Sequence, residues 1–116
     1  MKNRPFFARF GFAMSGLREA LVKEQSFRIQ LVAAVLVIAV LFALRPTPVW
    51  WALFILVIGC VLSLEMINTA LEAWIDRVHP EKNDSIRIAK DCAAGAVLIM
   101  SGVSIVLFCL FLWERW

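Results

Sequence analysis

The sequence predicts an all-α integral membrane protein in which an N-terminal amphipathic helix at the membrane interface precedes three transmembrane helices. Composition is the first observation, because 62% of the 116 residues are hydrophobic and 18% are charged, outside the usual balance of a soluble domain. The second is that the apolar residues fall in long uncharged blocks instead of amphipathic stripes. The third is a pair of breaks, at residues 45–48 and 79–85, that divide these blocks. The length suits one domain, and residues 1–116 are expected to form a single membrane domain.

Residues 1–24 have the pattern of an amphipathic helix. Apolar residues recur at steps of three or four with basic residues between them; they are Phe6, Phe10, Met14, Leu17 and Leu21. A helix with a phenylalanine-rich face and a basic face suits the headgroup boundary of a bilayer. Packing on a soluble partner is the alternative interpretation. The segment lacks the short apolar run and small-residue cleavage site of a signal peptide, so we expect the first apolar span to direct insertion.

The first two spans are predicted at residues 27–45 and 49–77. The first is apolar in its interior except for Gln30, and its length suits the hydrocarbon core of a bilayer. Two prolines at positions 46 and 48 end it in a tight loop, because proline lacks an amide donor and restricts the residue before it. The second span opens on Trp50 and Trp51, which suit an aromatic interface anchor. It is uncharged through Leu64 and should then continue as a helix beyond the hydrocarbon edge.

The third span is predicted at residues 86–114. It contains an uncharged run of 21 residues, 93–113, which is the strongest transmembrane signal in the chain. Asp84 or Ser85 is expected to cap the start of its helix. Small residues in the spans, Gly59, Gly95 and Gly102, are expected to permit close helix packing and favour an oligomer. The three cysteines lie in apolar surroundings without metal-binding spacing and are expected to be ordinary buried thiols.

Basic residues predict the orientation of the chain in the membrane. Six lie within residues 1–28 and four within residues 77–90, whereas the first loop holds only Arg45 and the C-terminal end only Arg115. By the positive-inside rule, the N-terminus and the second loop should be cytoplasmic and the C-terminus outside. Although the net charge is +3, the basic residues flank apolar blocks and form no patch interleaved with aromatics. Nucleic acid is therefore not an expected partner.

One face of the second span carries an unusual set of polar residues. Glu65, Asn68, Glu72 and Asp76 are separated by steps of three, four and four, which places them on the same side of a continuous helix. We call these four residues the acidic stripe. Isolated carboxylates near hydrocarbon are costly, so the stripe should line a polar pocket or a protein interface. The alternative is that it only makes interhelical hydrogen bonds and salt bridges, with Arg28, Arg87 or Lys90.

Two further charged groups are expected on the same side of the membrane as the stripe. Lys90 and Asp91 precede the third apolar run, and Glu24 stands at the entrance to the first. Carboxylates, an amide and a lysine at one interface can hold a hard divalent cation through oxygen, with a phosphate beside it, and a free carboxylate can accept a hydroxyl proton. No Gly-rich phosphate loop and no kinase-type catalytic set is present.

An ion channel or a scaffold oligomer is the alternative class of function. A conducting pathway would need polar residues at several depths in the membrane. The charged residues instead cluster on one side, which favours chemistry at the membrane surface.

The stripe and its neighbours also carry a family resemblance. The segment Glu65-Met66-Ile67-Asn68-Thr69-Ala70-Leu71-Glu72-Ala73, followed by Asp76, by Ala89-Lys90-Asp91 and by Ala93-Ala94-Gly95-Ala96-Val97, closely resembles the prokaryotic diacylglycerol kinase family. Gly16-Leu17-Arg18, Glu24 and Phe27-Arg28 fit the first half of that pattern. The resemblance covers nearly the whole chain.

The resemblance implies a homotrimeric lipid kinase of the bacterial inner membrane, which transfers the γ-phosphoryl group of ATP to diacylglycerol to give phosphatidic acid. Its active sites would lie at the cytoplasmic face between subunits. By match, Glu65 would be the catalytic base, Glu24 and Glu72 would hold Mg-ATP through Mg²⁺, and Asn68 would help to place the reacting groups. Lys90 and Asp91 would contact the nucleotide.

The acceptor lipid is left open by the resemblance. Arg9 lies closer to Gly16 than the functional arginine of the best-known members does, so the resemblance assigns no role to Arg9, and it leaves that of Asp76 open. This spacing and Phe27-Arg28-Ile29 are nearer to the undecaprenol kinase branch. Undecaprenol is therefore the alternative acceptor.

Overall fold

The computed structural model describes residues 3–116, and this part of the chain forms four α-helices: α1 (Phe6–Lys23), α2 (Gln25–Leu44), α3 (Pro48–Val78) and α4 (Asp84–Arg115). Among the described residues, three helices, α2, α3 and α4, are long and apolar enough to cross a membrane by length and composition. The predicted all-α integral membrane fold is therefore confirmed. The predicted N-terminal segment started at residue 1, and its first two residues, Met1 and Lys2, lie outside the described part.

The chain changes direction between helices at residues with non-helical backbones. Glu24 alone separates α1 from α2, in an extended conformation with φ −105° and ψ 110°. Arg45 follows α2 in the left-handed region, with φ 51°, and Pro48 occupies the first turn of α3, where its missing amide donor costs nothing. Arg45 was predicted inside the first span, but its left-handed backbone ends the helix at Leu44.

Asn83 caps the start of α4. Its Oδ1 accepts a hydrogen bond from the backbone amide of Ile86 at 3.0 Å, which satisfies one of the free donors of the first helical turn. The expectation that Asp84 or Ser85 would be the cap is wrong, because both residues already belong to the helix. Asp84 instead places a negative charge in the first turn, where the helix dipole favours it.

Helix α3 is the centre of the bundle. It packs most extensively on α4, less on α2, and α1 lies against α2 and α3. A cluster of buried apolar residues joins the end of α2, the start of α3 and the end of α4, with Leu41, Phe54 and Phe111 at its centre. Trp50 packs on Phe54 and Phe111. This aromatic cluster closes the end of the bundle opposite to the elbow at Glu24.

Gln30, the polar residue inside the first span, is used for helix packing. Its Nε2 donates to Ser101 Oγ at 3.1 Å, which links α2 to α4 across the bundle. The amide is therefore satisfied by protein at a depth where lipid could not hydrogen-bond it.

Most of the apolar surface of the spans remains exposed on the single chain. A Cβ atom added at Gly59, Gly95 or Gly102 would meet nothing within 4 Å, so within residues 3–116 these glycines do not serve the close helix packing that we expected of them. Cys92 and Cys109 are exposed on the chain alone and Cys60 is half-buried, which corrects the expectation of three buried thiols.

Candidate functional site

The predicted site residues lie at one end of the bundle, which we call the site end. It comprises the elbow between α1 and α2, the last four turns of α3 and the first turns of α4. Short connections make α2, α3 and α4 alternate in direction, so the start of α2, the end of α3 and the start of α4 meet there. Glu24, the acidic stripe, Lys90 and Asp91 are all located at this end.

A buried carboxyl group stands at the centre of the site end. Glu65 is 5% exposed and is the one charged side chain in the buried set of the described residues. The charges that act on it are the carboxylates of Glu24 and Glu72, both half-buried. Glu24 and Glu72 are therefore close enough for their charges to act on Glu65, although Glu24 is about 40 residues from Glu65 in sequence.

Asn68 adds an unsatisfied acceptor to this group. Its side-chain Oδ1 is buried and has no hydrogen-bond partner within residues 3–116. Buried polar atoms are normally paired, and leaving one unpaired costs about 1–3 kcal/mol. This amide oxygen, one helical turn from Glu65, is therefore available to bind a ligand or to accept a hydrogen bond from another group.

The described residues do not by themselves form a complete metal site. No group of three or more His, Cys, Asp or Glu side chains in the described part of the chain is arranged as a metal-binding set. Mg²⁺ is usually held by one or two carboxylates together with phosphate oxygens and water. The oxygen donors of Glu24, Glu72 and Asn68 are of the right chemical type for such a shared site.

A polar cavity of about 430 Å³ lies at the start of α4. Its lining includes the predicted nucleotide residues Lys90 and Asp91, together with Lys82, Asn83 and Arg87. Arg87 Nη1 contacts Asp91 Oδ2 at 3.1 Å. Sequence reasoning assigned no binding role to Lys82 or Arg87. The Arg87–Asp91 pair could have been predicted from the sequence, because residues four apart meet on one helix face.

Lys90 connects this polar cavity to the acidic stripe. Its Nζ forms an ion pair and hydrogen bond with Asp76 Oδ1 across the α3–α4 contact, with the Lys90 side chain 33% exposed and that of Asp76 65% exposed. The alternative in which the acidic stripe forms interhelical salt bridges is therefore observed at the outer end of the stripe, at Asp76. It is not realised by the other two basic residues, because Arg87 pairs with acids of its own helix and Arg28 bonds to backbone carbonyls of α1.

An apolar cavity of about 450 Å³ opens between α1, α2 and α3 at the site end. Leu62 and Met66 of α3 line it, and Glu65, which is not itself a lining residue, lies about one helical turn after Leu62. The remaining apolar walls come from α1 and α2, through Met14, Leu17, Leu21, Phe27 and Leu31. Arg18 and Ser63 are its polar lining residues. Sequence reasoning predicted no such cavity, because it depends on how α1 folds back over α3.

Fold and site together define a multi-pass membrane protein with acidic residues, an apolar cavity and a polar cavity at one end of its bundle. The model of the prokaryotic diacylglycerol kinase family matches residues 11–112 of the chain. Diacylglycerol kinase of Escherichia coli K12 is 32% identical over 105 residues, covering 90% of this chain and 86% of that protein. Undecaprenol kinase of Bacillus subtilis 168 is also 32% identical, over 102 residues, covering 88% and 83%.

The chain belongs to the prokaryotic diacylglycerol kinase family. A third relative, the diacylglycerol kinase of Synechocystis, is 35% identical over 98 residues, which cover 84% of this chain and 56% of that protein. The protein is therefore a lipid kinase, and its reaction is phosphoryl transfer from ATP to a lipid.

Proposed function

We propose that this protein transfers the γ-phosphoryl group of ATP, with Mg²⁺, to the hydroxyl group of diacylglycerol and forms phosphatidic acid. The observation that carries the proposal is the position of Glu65. Glu65 is a buried carboxyl group about one helical turn from Leu62, which lines the apolar cavity, and from there it would meet the hydroxyl of a lipid whose chains occupy that cavity. A cavity with almost entirely apolar walls suits acyl chains better than a water-soluble acceptor.

Glu65 acts as the general base in this proposal. It accepts the proton of the lipid hydroxyl while the hydroxyl oxygen attacks the γ-phosphorus, and the bond from that phosphorus to the bridging oxygen breaks to release ADP. Burial removes water from around the carboxylate and keeps the site from transferring phosphate to water.

The carboxylates of Glu24 and Glu72 would hold Mg²⁺, and Asn68 Oδ1 would contribute a neutral oxygen donor. A metal ion held there would supply positive charge to offset that of the transferred phosphoryl group. Support comes from the electrostatic interaction of both acids with Glu65 and from the unpaired amide oxygen. Without a cation, three carboxylates in partly buried positions would repel one another.

Lys90 and Asp91 bind the nucleotide in the polar cavity at the start of α4. Three basic residues line that cavity, Lys82, Arg87 and Lys90, and they match the charge of a triphosphate. Lys90 also contacts the stripe through Asp76, so an anion held by Lys90 would lie near the metal-binding acids.

The site end faces the cytoplasm of a bacterial inner membrane, and the C-terminus lies outside. Basic residues support this orientation, since they concentrate around α1, the elbow and the loop before α4. ATP is available on that side. The protein forms a homotrimer, in keeping with the exposed glycines and apolar faces of α3 and α4, which a neighbouring subunit can cover.

One assay tests the proposed reaction. Purified protein in lipid or detergent is given γ-labelled ATP and magnesium with diacylglycerol or undecaprenol in parallel, and labelled lipid is quantified. We expect faster transfer to diacylglycerol. Preferential labelling of undecaprenol would identify undecaprenol as the acceptor instead of diacylglycerol. Labelling of neither lipid would refute the proposal.

A further inference from the structure

A side chain of α2 bridges the elbow between α1 and α2. Only Glu24 separates the two helices, and a one-residue extended linker does not by itself set the angle between them. Arg28, in the first turn of α2, reaches back over the elbow. Its Nη1 donates to the carbonyl oxygen of Val22 at 2.7 Å and to that of Leu21 at 3.0 Å.

Both carbonyls belong to the last turn of α1, where backbone acceptors lack partners within the helix. A guanidinium group there satisfies them and also complements the negative end of the helix dipole. The amide of Glu24 is bonded as well, to the carbonyl of Ala20 at 2.9 Å. The end of α1 is therefore tied to α2 by a cation that spans six to seven residues of sequence.

Two functional features depend on the angle at this elbow. Leu21 of α1 and Phe27 of α2, which flank it, both line the apolar cavity, and Phe27 is 4% exposed. Farther along α1, Gly16 lies over Met66 of α3, so that a Cβ at Gly16 would be 3.9 Å from the methyl carbon of Met66. Glu24 itself is one of the two acids that act on Glu65.

We propose that Arg28 is a positioning residue that clamps α1 over the apolar cavity and holds Glu24 beside Glu65. The clamp acts through backbone carbonyls and does not touch the reacting atoms. It makes the interfacial helix a fixed wall of the acceptor cavity. The inference rests on the proposed function for its kinetic consequences, whereas the position of α1 can be measured without any reaction.

The first test measures that position by cross-linking. In a background with Cys60, Cys92 and Cys109 replaced by alanine, Gly16→Cys and Met66→Cys are introduced, and their cross-linking by a short bifunctional thiol reagent is followed in membranes. We expect Arg28→Gln to slow cross-linking roughly fivefold, because it loses the charge and the two-acceptor reach of the guanidinium. The cross-linking rate of Arg28→Lys should lie between those of the protein with Arg28 and of Arg28→Gln. Arg77 is an exposed arginine at the end of α3, and Arg77→Gln should leave the rate unchanged. Equal rates for Arg28 and Arg28→Gln would overturn the clamp.

The second test separates positioning from loss of folded protein. In the protein with its native cysteines, Arg28→Gln should raise the apparent KM for lipid and for Mg-ATP by roughly fivefold or more. Arg28→Lys should raise both KM values by less. A variant that only lowers the amount of folded enzyme would reduce the maximal rate at unchanged KM, and this result would contradict positioning. If the unaltered protein labels no lipid, the proposed function fails, and the cross-linking rates alone decide whether Arg28 holds the elbow.

Discussion

Glu65 and Glu72 provide the sharpest test of the division of labour at the site, because the structure places them differently. Glu65 is 5% exposed, and Glu65→Gln keeps nearly the same shape while removing the proton acceptor. A positioned general base contributes about 100-fold to 10,000-fold. We expect turnover to fall by roughly 100-fold or more, which corresponds to about 2.7 kcal/mol in the activation barrier.

Glu72 should behave differently because it is assigned to the metal. It is half-buried, and Glu72→Gln replaces a carboxylate oxygen by a weaker donor. We expect the apparent KM for Mg-ATP to rise by roughly tenfold. Raising the magnesium concentration should recover part of the lost rate, since mass action repopulates a weakened site.

The assay is initial-rate kinetics with labelled ATP in mixed micelles, over a range of magnesium concentrations, for both variants and for Glu81→Gln. Glu81 is an exposed acid of the loop before α4 and serves as the matched control, which should resemble the unaltered enzyme. Size-exclusion profiles confirm that each variant is folded and assembled. Near-normal turnover of Glu65→Gln, or equal rescue of both variants by magnesium, would refute the assignment.

Two further predictions concern the Asp76–Lys90 pair and the topology. Asp76→Asn should lower the free energy of unfolding by no more than about 1 kcal/mol in thermal unfolding, because the pair is partly exposed. In kinetic assays it should raise the KM for ATP and leave the KM for lipid unchanged. A change confined to the KM for lipid would contradict this prediction. A reporter fused after Trp116 should be periplasmic and one inserted within residues 81–85 cytoplasmic. Reversed reporters would place the site end on the outer side.

The sequence by itself determined the class of fold and indicated the candidate site residues. Transmembrane spans follow from local composition, because a bilayer selects continuous apolar runs whatever their neighbours are. The stripe was equally visible, since the spacing of Glu65, Asn68 and Glu72 on a helix depends only on helical periodicity.

Only the tertiary structure decided what those residues meet. The approach of Glu24 to Glu65 depends on the angle at a one-residue elbow, and the pairing of Lys90 with Asp76 depends on how α4 packs on α3. The apolar cavity exists because α1 folds back over α3. These features arise from contacts between segments distant in the chain, and local periodicity carries no information about such contacts.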